Sequence, residues 1–122
     1  MKAKITKKHN NIVRKETYPI DEVLPFVAMA GQNNPAMREY DGDMIKMGSL
    51  RYQTFIKSGT TCVSCGLKAS FFAKEQTTGQ RNFHFNLYGI DADGDDVLFT
   101  KDHIYPKSRG GKDILSNFQT MC

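Results

Sequence analysis

An acid and a histidine stand side by side at Asp102-His103. A proline, Pro106, a basic glycine-rich run, KSRGGK (Lys107–Lys112), and Asn117 follow. A carboxylate binds a hard divalent cation, and a neutral imidazole takes a proton from water near pH 7. Together they suit metal-assisted hydrolysis of a phosphodiester: the histidine makes the nucleophile, and the cation stabilises charge on the phosphate and the leaving oxygen. The dipeptide alone does not single out this chemistry, since such pairs also arise on surfaces or as hydrogen-bonded partners. Neighbours on a regular strand point to opposite faces, so the two share a site only where the strand ends and the backbone turns. Pro106 supplies that end.

The second group is sulfur. The chain has three cysteines, Cys62, Cys65 and Cys122. An odd number does not suit a closed disulfide framework, and a C-x-x-C pair in an intracellular protein points to metal or redox chemistry. Gly66 directly after Cys65 suits a zinc knuckle, a tight turn whose backbone amides face the thiolates. A redox pair would need a strand running into the C-x-x-C and a helix following it, which the pattern lacks. Two buried thiols are the bland alternative; a third cysteine far downstream argues for metal spacing.

The elements that must position these groups follow from periodicity. Asp21–Ala30 reads as a short helix capped by Asp21, with Val23, Leu24, Phe26 and Val27 on one face; Pro25 fits it only in a first turn. Gly31–Pro35 (GQNNP) reads as a turn, and Pro35–Met47 has no assignable period. Ser49 is expected to cap a helix ending near Lys57, with Tyr52, Phe55 and Ile56 on its apolar face and Gly59 after its end. The period then changes to two. Ser70–Gln76, Asn82–Ile90 and Val97–Ile104 are expected strands, with Phe83, Phe85 and Leu87 opposite His84, Asn86 and Tyr88. Asp91–Asp96 (DADGDD) lacks the spacing and closing glutamate of a calcium loop and reads as a hairpin turn.

The totals set bounds. Of 122 residues 39% are hydrophobic, so the core is modest and a structural staple is plausible. The net charge of +4 is compatible with a polyanionic partner. The charge is uneven: residues 1–19 are basic, and they read equally as a frayed terminus or as a phosphate-contacting arm. There is no secretory core after the basic start, and Val23–Ala30 is too short to span a membrane, so the expectation is a soluble, cytoplasmic protein.

The whole string from Asp102 to Cys122, D-H-I-x-P-x-S-x-G-G-x-D-x-x-x-N-x-Q-x-x-C, resembles the HNH branch of the His-Me finger endonucleases. Cys62-x-x-Cys65-Gly66, preceded by Phe55-x-x-x-Gly59, resembles the entry to its zinc-bound members, of the kind found in phages and mobile elements. The resemblance covers roughly the C-terminal half of the chain. It implies an α+β fold: short N-terminal helices, a zinc-knuckle β-hairpin region and an incomplete ββα-metal motif. It divides the chain into a basic and helical accessory region, 1–48, and a nuclease domain, 49–122.

The resemblance also implies roles. His103 would be the general base, Asp102 a ligand of a catalytic divalent cation such as Mg²⁺, and Asn117 the residue that fixes the loop and helps orient the histidine. Cys62, Cys65 and Cys122 would hold a structural Zn²⁺. Pro106, Ser108, Gly110 and Gly111 would shape the loop. Lys107, Arg109 and Lys112 would contact the phosphates of DNA, a role resting on charge and position. A fourth zinc ligand, a helix and a second ligand of the catalytic cation would lie past residue 122, so a fragment with weak or no cleavage is expected. The competing expectation is a non-catalytic, zinc-stapled nucleic-acid-binding module; an RNA-directed nuclease is a third. His9 and His84 are the only other histidines, and the strand period makes His84 a structural side chain.

Overall fold

Alternating apolar residues with short, turn-forming gaps build an antiparallel sheet here. The computed structural model describes residues 4–5, 12–30 and 37–122. The GQNNP turn and His9, in residues 1–3, 6–11 and 31–36, lie outside the described residues. In chain order the elements are β1 (Lys4–Ile5), β2 (Ile12–Tyr18), α1 (Ile20–Ala30), β3 (Met37–Tyr40), β4 (Asp43–Lys46), α2 (Leu50–Ser58), β5 (Ala69–Thr77), β6 (His84–Ile90), β7 (Asp96–His103) and β8 (Phe118–Met121). The fold is thus α+β, as expected. Six strands form one antiparallel sheet in the order β1-β2-β5-β6-β7-β8, and β3 pairs with β4 in a separate hairpin.

The three strands read from the period-two pattern are present as β5, β6 and β7. Their inward set, Phe72, Phe85, Leu87 and Phe99, is fully buried beneath α1 and α2, where Val23, Val27, Tyr52 and Phe55 meet it. Phe85 is the hub of this layer: Tyr18 and Tyr40 approach it edge-on at 6.0 and 5.1 Å. Ser49 caps α2, its hydroxyl accepting from the Tyr52 amide at 3.2 Å, and Gly59 ends the helix at φ +86°. Ile56 is the exception on the expected apolar face, being exposed, while Gln53 and Thr54 are buried in its stead. The Gln53 side chain donates to the Val27 carbonyl at 2.8 Å, tying α2 to α1. Helix α1 continues through Pro25 rather than starting at it, and Asp21 lies in its first turn rather than capping it. Buried Val23 and Val27 on either side hold the helix where proline removes a backbone donor.

Residues 12–18 correct the reading of a basic arm. They form β2, paired with β5, so the sheet runs across the expected division at residue 48. Arg14 is 1% exposed. Its Nε donates to Glu75 at 2.7 Å and its other end to Asp96 at 3.0 Å, while the guanidinium covers the Tyr88 ring at 4.8 Å. The second oxygen of Glu75 accepts from Tyr88 at 2.6 Å and from Asn86 at 2.7 Å. Tyr88, expected on the outward face, is buried by this network.

The stretch 37–46 without assignable period is the β3–β4 hairpin, turned at Asp41-Gly42 with φ of +50° and +91°. Both central residues are left-handed, the conformation that tight two-residue hairpins require. A buried lysine clamps it to the sheet: Lys74 donates to the Tyr40 and Asp41 carbonyls at 3.1 and 2.6 Å and pairs with Asp43 at 2.8 Å. That lysine holds the Asp43 carboxyl below the usual carboxylate range.

A buried pair and an exposed pair on the same strand allow a direct comparison. Lys15, half exposed, pairs with Asp43 at 3.1 Å. Glu75→Ala is expected to cost about 3–5 kcal/mol by leaving Arg14 buried without its main counter-ion. Lys15→Ala is expected to cost about 0–1 kcal/mol. Urea denaturation of both variants checks this; equal losses would refute the buried-pair account.

Candidate functional site

The cysteines are built on a short turn between α2 and β5. The Cys62 amide donates to the Leu67 carbonyl and the Gly66 amide returns to the Cys62 carbonyl, both at 2.9 Å, and Thr61 bridges Lys68. Gly66 is left-handed at φ +79°, which lets the chain reverse within the knuckle. The far leg is β8. The Val63 amide donates to the Thr120 carbonyl at 3.1 Å, the Thr120 hydroxyl to the Gly59 carbonyl at 2.6 Å, and the Cys122 amide to the Cys62 sulfur at 3.2 Å. The Ser58 hydroxyl reaches the Phe118 carbonyl at 3.5 Å.

This brings the three Sγ atoms of Cys62, Cys65 and Cys122 within 4.8 Å of one another. A tetrahedral Zn²⁺ with bonds of about 2.3 Å needs sulfurs about 3.8 Å apart. The Cys65–Cys122 separation, 3.3 Å, and the 4.8 Å limit bracket that spacing. All three thiols are free. The cluster is therefore placed to hold a metal ion such as zinc. Hydrogen bonds from Cys122 and then from the surrounding amides lower the Cys62 thiol to about 6, and the same contact raises Cys122 to about 12.

The histidine loop, residues 104–117, connects β7 to β8. The register Asp102↔Gln119 and His103↔Phe118 shows that pairing continues through His103. The strand thus does not end between the two residues, and alternation sends Asp102 and His103 to opposite faces. The expected pair is divided for that reason. The carboxylate that touches His103 is Asp113, whose Oδ1 lies 2.7 Å from Nε2. A carboxylate only accepts, so Nε2 carries a proton, and in the neutral imidazole Nδ1 is then the nitrogen that keeps its lone pair. The other oxygen of Asp113 pairs with Lys107 at 3.0 Å, and both contacts hold its carboxyl below the usual range, His103 contributing most. The His103 ring also leans on Phe118, with centroids 4.8 Å apart.

Asn117 staples the loop. Its Oδ1 accepts from the Tyr105 amide at 2.9 Å, and its Nδ2 donates to the Lys112 and Tyr105 carbonyls at 2.9 and 3.2 Å. None of these hydrogen bonds goes to His103. Lys107–Arg109 form a single 3-10 turn closed by Gly110 at φ +97°. Gly111 packs so tightly that a Cβ there would sit 1.9 Å from the Tyr105 carbonyl oxygen. Arg109 and Lys112 are exposed on this loop, near Lys107. His84 is half-buried, and burial lowers its imidazole.

Asp113 is the residue that sequence reasoning missed. It stands within the G-G-x-D run, but nothing local says that the loop folds it back onto His103. No family model matches the chain, and neither a curated protein nor a solved structure matches it. Among the described residues no helix is long and apolar enough to cross a membrane.

Metal binding must displace the proton that Cys122 holds. Zinc affinity is therefore expected to rise by at least about tenfold per pH unit between pH 6.5 and 8.5. Competition with a chromophoric chelator at three pH values measures it. Cys62→Ser is expected to lower both the zinc content and the melting temperature; an unchanged melting temperature would remove the staple.

Proposed function

We propose that this protein is a metal-dependent endonuclease of the HNH kind that hydrolyses phosphodiester bonds in DNA. The observation that supports it is the 2.7 Å contact of His103 Nε2 with Asp113, which in the neutral imidazole leaves Nδ1 to accept a proton. His103 is the general base, taking the proton of the attacking water at Nδ1. Asp113 is a positioning residue that fixes the tautomer and the ring, as the acid does in a catalytic triad. Asn117 and the two glycines hold the loop that carries Asp113.

Asp102 is the proposed ligand of a divalent cation such as Mg²⁺. Its carboxylate is exposed and has no partner among the described residues. Mg²⁺ accepts one or two protein carboxylates together with water and substrate phosphates, so a single exposed Asp fits part of its shell. When bound, the cation would supply charge stabilisation at the phosphate. Lys107, Arg109 and Lys112 supply positive charge beside the histidine for the DNA backbone. The incomplete ββα-metal motif is likewise part of this proposal: β7, the histidine loop and β8 correspond to its two strands and their connection.

The zinc-stapled binding module without catalysis is the alternative, favoured by the fact that among the described residues only the cysteines form a group of three or more metal-ligating side chains. Nicking of supercoiled plasmid separates the two. Mg²⁺-dependent nicking is expected to fall about 10²–10⁴-fold in His103→Ala. Asp113→Asn is expected to lower kcat at least tenfold with little change in KM. Wild-type rates in His103→Ala would remove the assigned base.

A further inference from the structure

A cleft of about 490 Å³ opens between the start of α2 and the sheet. Its charged lining is all of one sign, Lys46, Arg51 and Lys101, with the imidazole of His84 and the amides Gln80 and Asn86 among them. Among the described residues that line it there is no carboxylate. Glu75 is the register partner of His84, but it is already occupied by Arg14, Tyr88 and Asn86. Arg51 is fixed by its bond to the Phe85 carbonyl at 2.7 Å, and Lys46 is exposed. Burial first, and then the charges of Arg51 and Lys46, lower the His84 imidazole.

The lining of the cleft reaches the histidine-bearing half of β7 at Lys101. Lys101 precedes His103 by two positions, on the same face of β7. Its ammonium lies 4.3 Å from the Phe118 ring centroid, against which His103 also packs. Cations and amides with no acid suit a phosphodiester chain, with the amides free to meet sugar and base edges. The volume is large for a single phosphate and suits a nucleotide-sized segment.

We infer that this cleft binds the DNA strand next to the bond cleaved, with Lys46, Arg51 and Lys101 holding its phosphates. The inference rests on the nuclease reading above, and extends it to residues that lie outside the histidine loop.

The test is the salt dependence of binding to a fluorescent DNA duplex, by anisotropy between 50 and 200 mM salt. His103→Ala serves as the parent throughout, so that cleavage does not intervene. Each phosphate contact contributes about 0.9 to the slope of log affinity against log salt. Lys46→Gln with Lys101→Gln is expected to reduce the slope by about 1.8 and the affinity by about tenfold or more. Lys57→Gln with Lys68→Gln, the same charge change at exposed positions outside the cleft, is expected to leave the slope unchanged. Lys46→Gln alone is expected to lower it by about 0.9; Lys46 lies on the surface, so this variant decides the matter if the double variant does not fold. A slope equal to the control pair's would overturn the cleft while leaving DNA binding by the parent intact. A parent that does not bind DNA would overturn both the cleft and the nuclease reading.

Discussion

Strand β8 is only four residues long, yet both candidate centres depend on where it lies. Its ladder to β7 sets Phe118 against His103 and puts Asn117 at the root of the loop. Its other end delivers Cys122 to Cys62 and Cys65. Four residues of antiparallel pairing are a weak hold by themselves. The strand is therefore fixed from its second side as well, through Thr120 to Gly59 and Val63. A change at the knuckle is thereby a change at the histidine, even though the two centres share no ligand.

The positive charge of the chain divides by burial. Arg14 and Lys74 are inside and paired, and they organise strands and a hairpin. Lys107 is outside but committed to Asp113. Lys46, Arg51 and Lys101 line the cleft, where they face no acid among the described residues. A net charge of +4 averages these groups together and hides the distinction. Only cations whose field is not already cancelled can attract a polyanion over distance.

Strands β5, β6 and β7 and helix α2 were legible because their signals are local: alternation, a serine cap and a glycine stop. The β3–β4 hairpin was not, although Asp41-Gly42 is a strong turn signal, because Met37–Tyr40 lacks the alternating apolar flank that would frame it. Strand β8 was hidden by its shortness, its Phe118 and Thr120 giving just two inward positions. Arg14 shows the limit most clearly. Its partner Glu75 is 61 residues away, so a buried ion pair read as one more charge in a basic terminus. In the site, the sulfur cluster was legible from spacing, but the partner of His103 was not. Whether the strand stopped before or after His103 decided which carboxylate it met, and a single proline at residue 106 does not fix that boundary.

The knuckle also covers an edge. Strand β8 ends the sheet, and the carbonyls of Phe118 and Thr120 face away from β7. Ser58 takes the first and Val63 the second, so the outermost acceptors are satisfied within the chain. An open edge of this kind is a template for another strand. The turn that gathers the thiols therefore doubles as a guard against self-association: a chain whose knuckle has loosened presents a sticky margin to its neighbours, and the loosening would register first as aggregation.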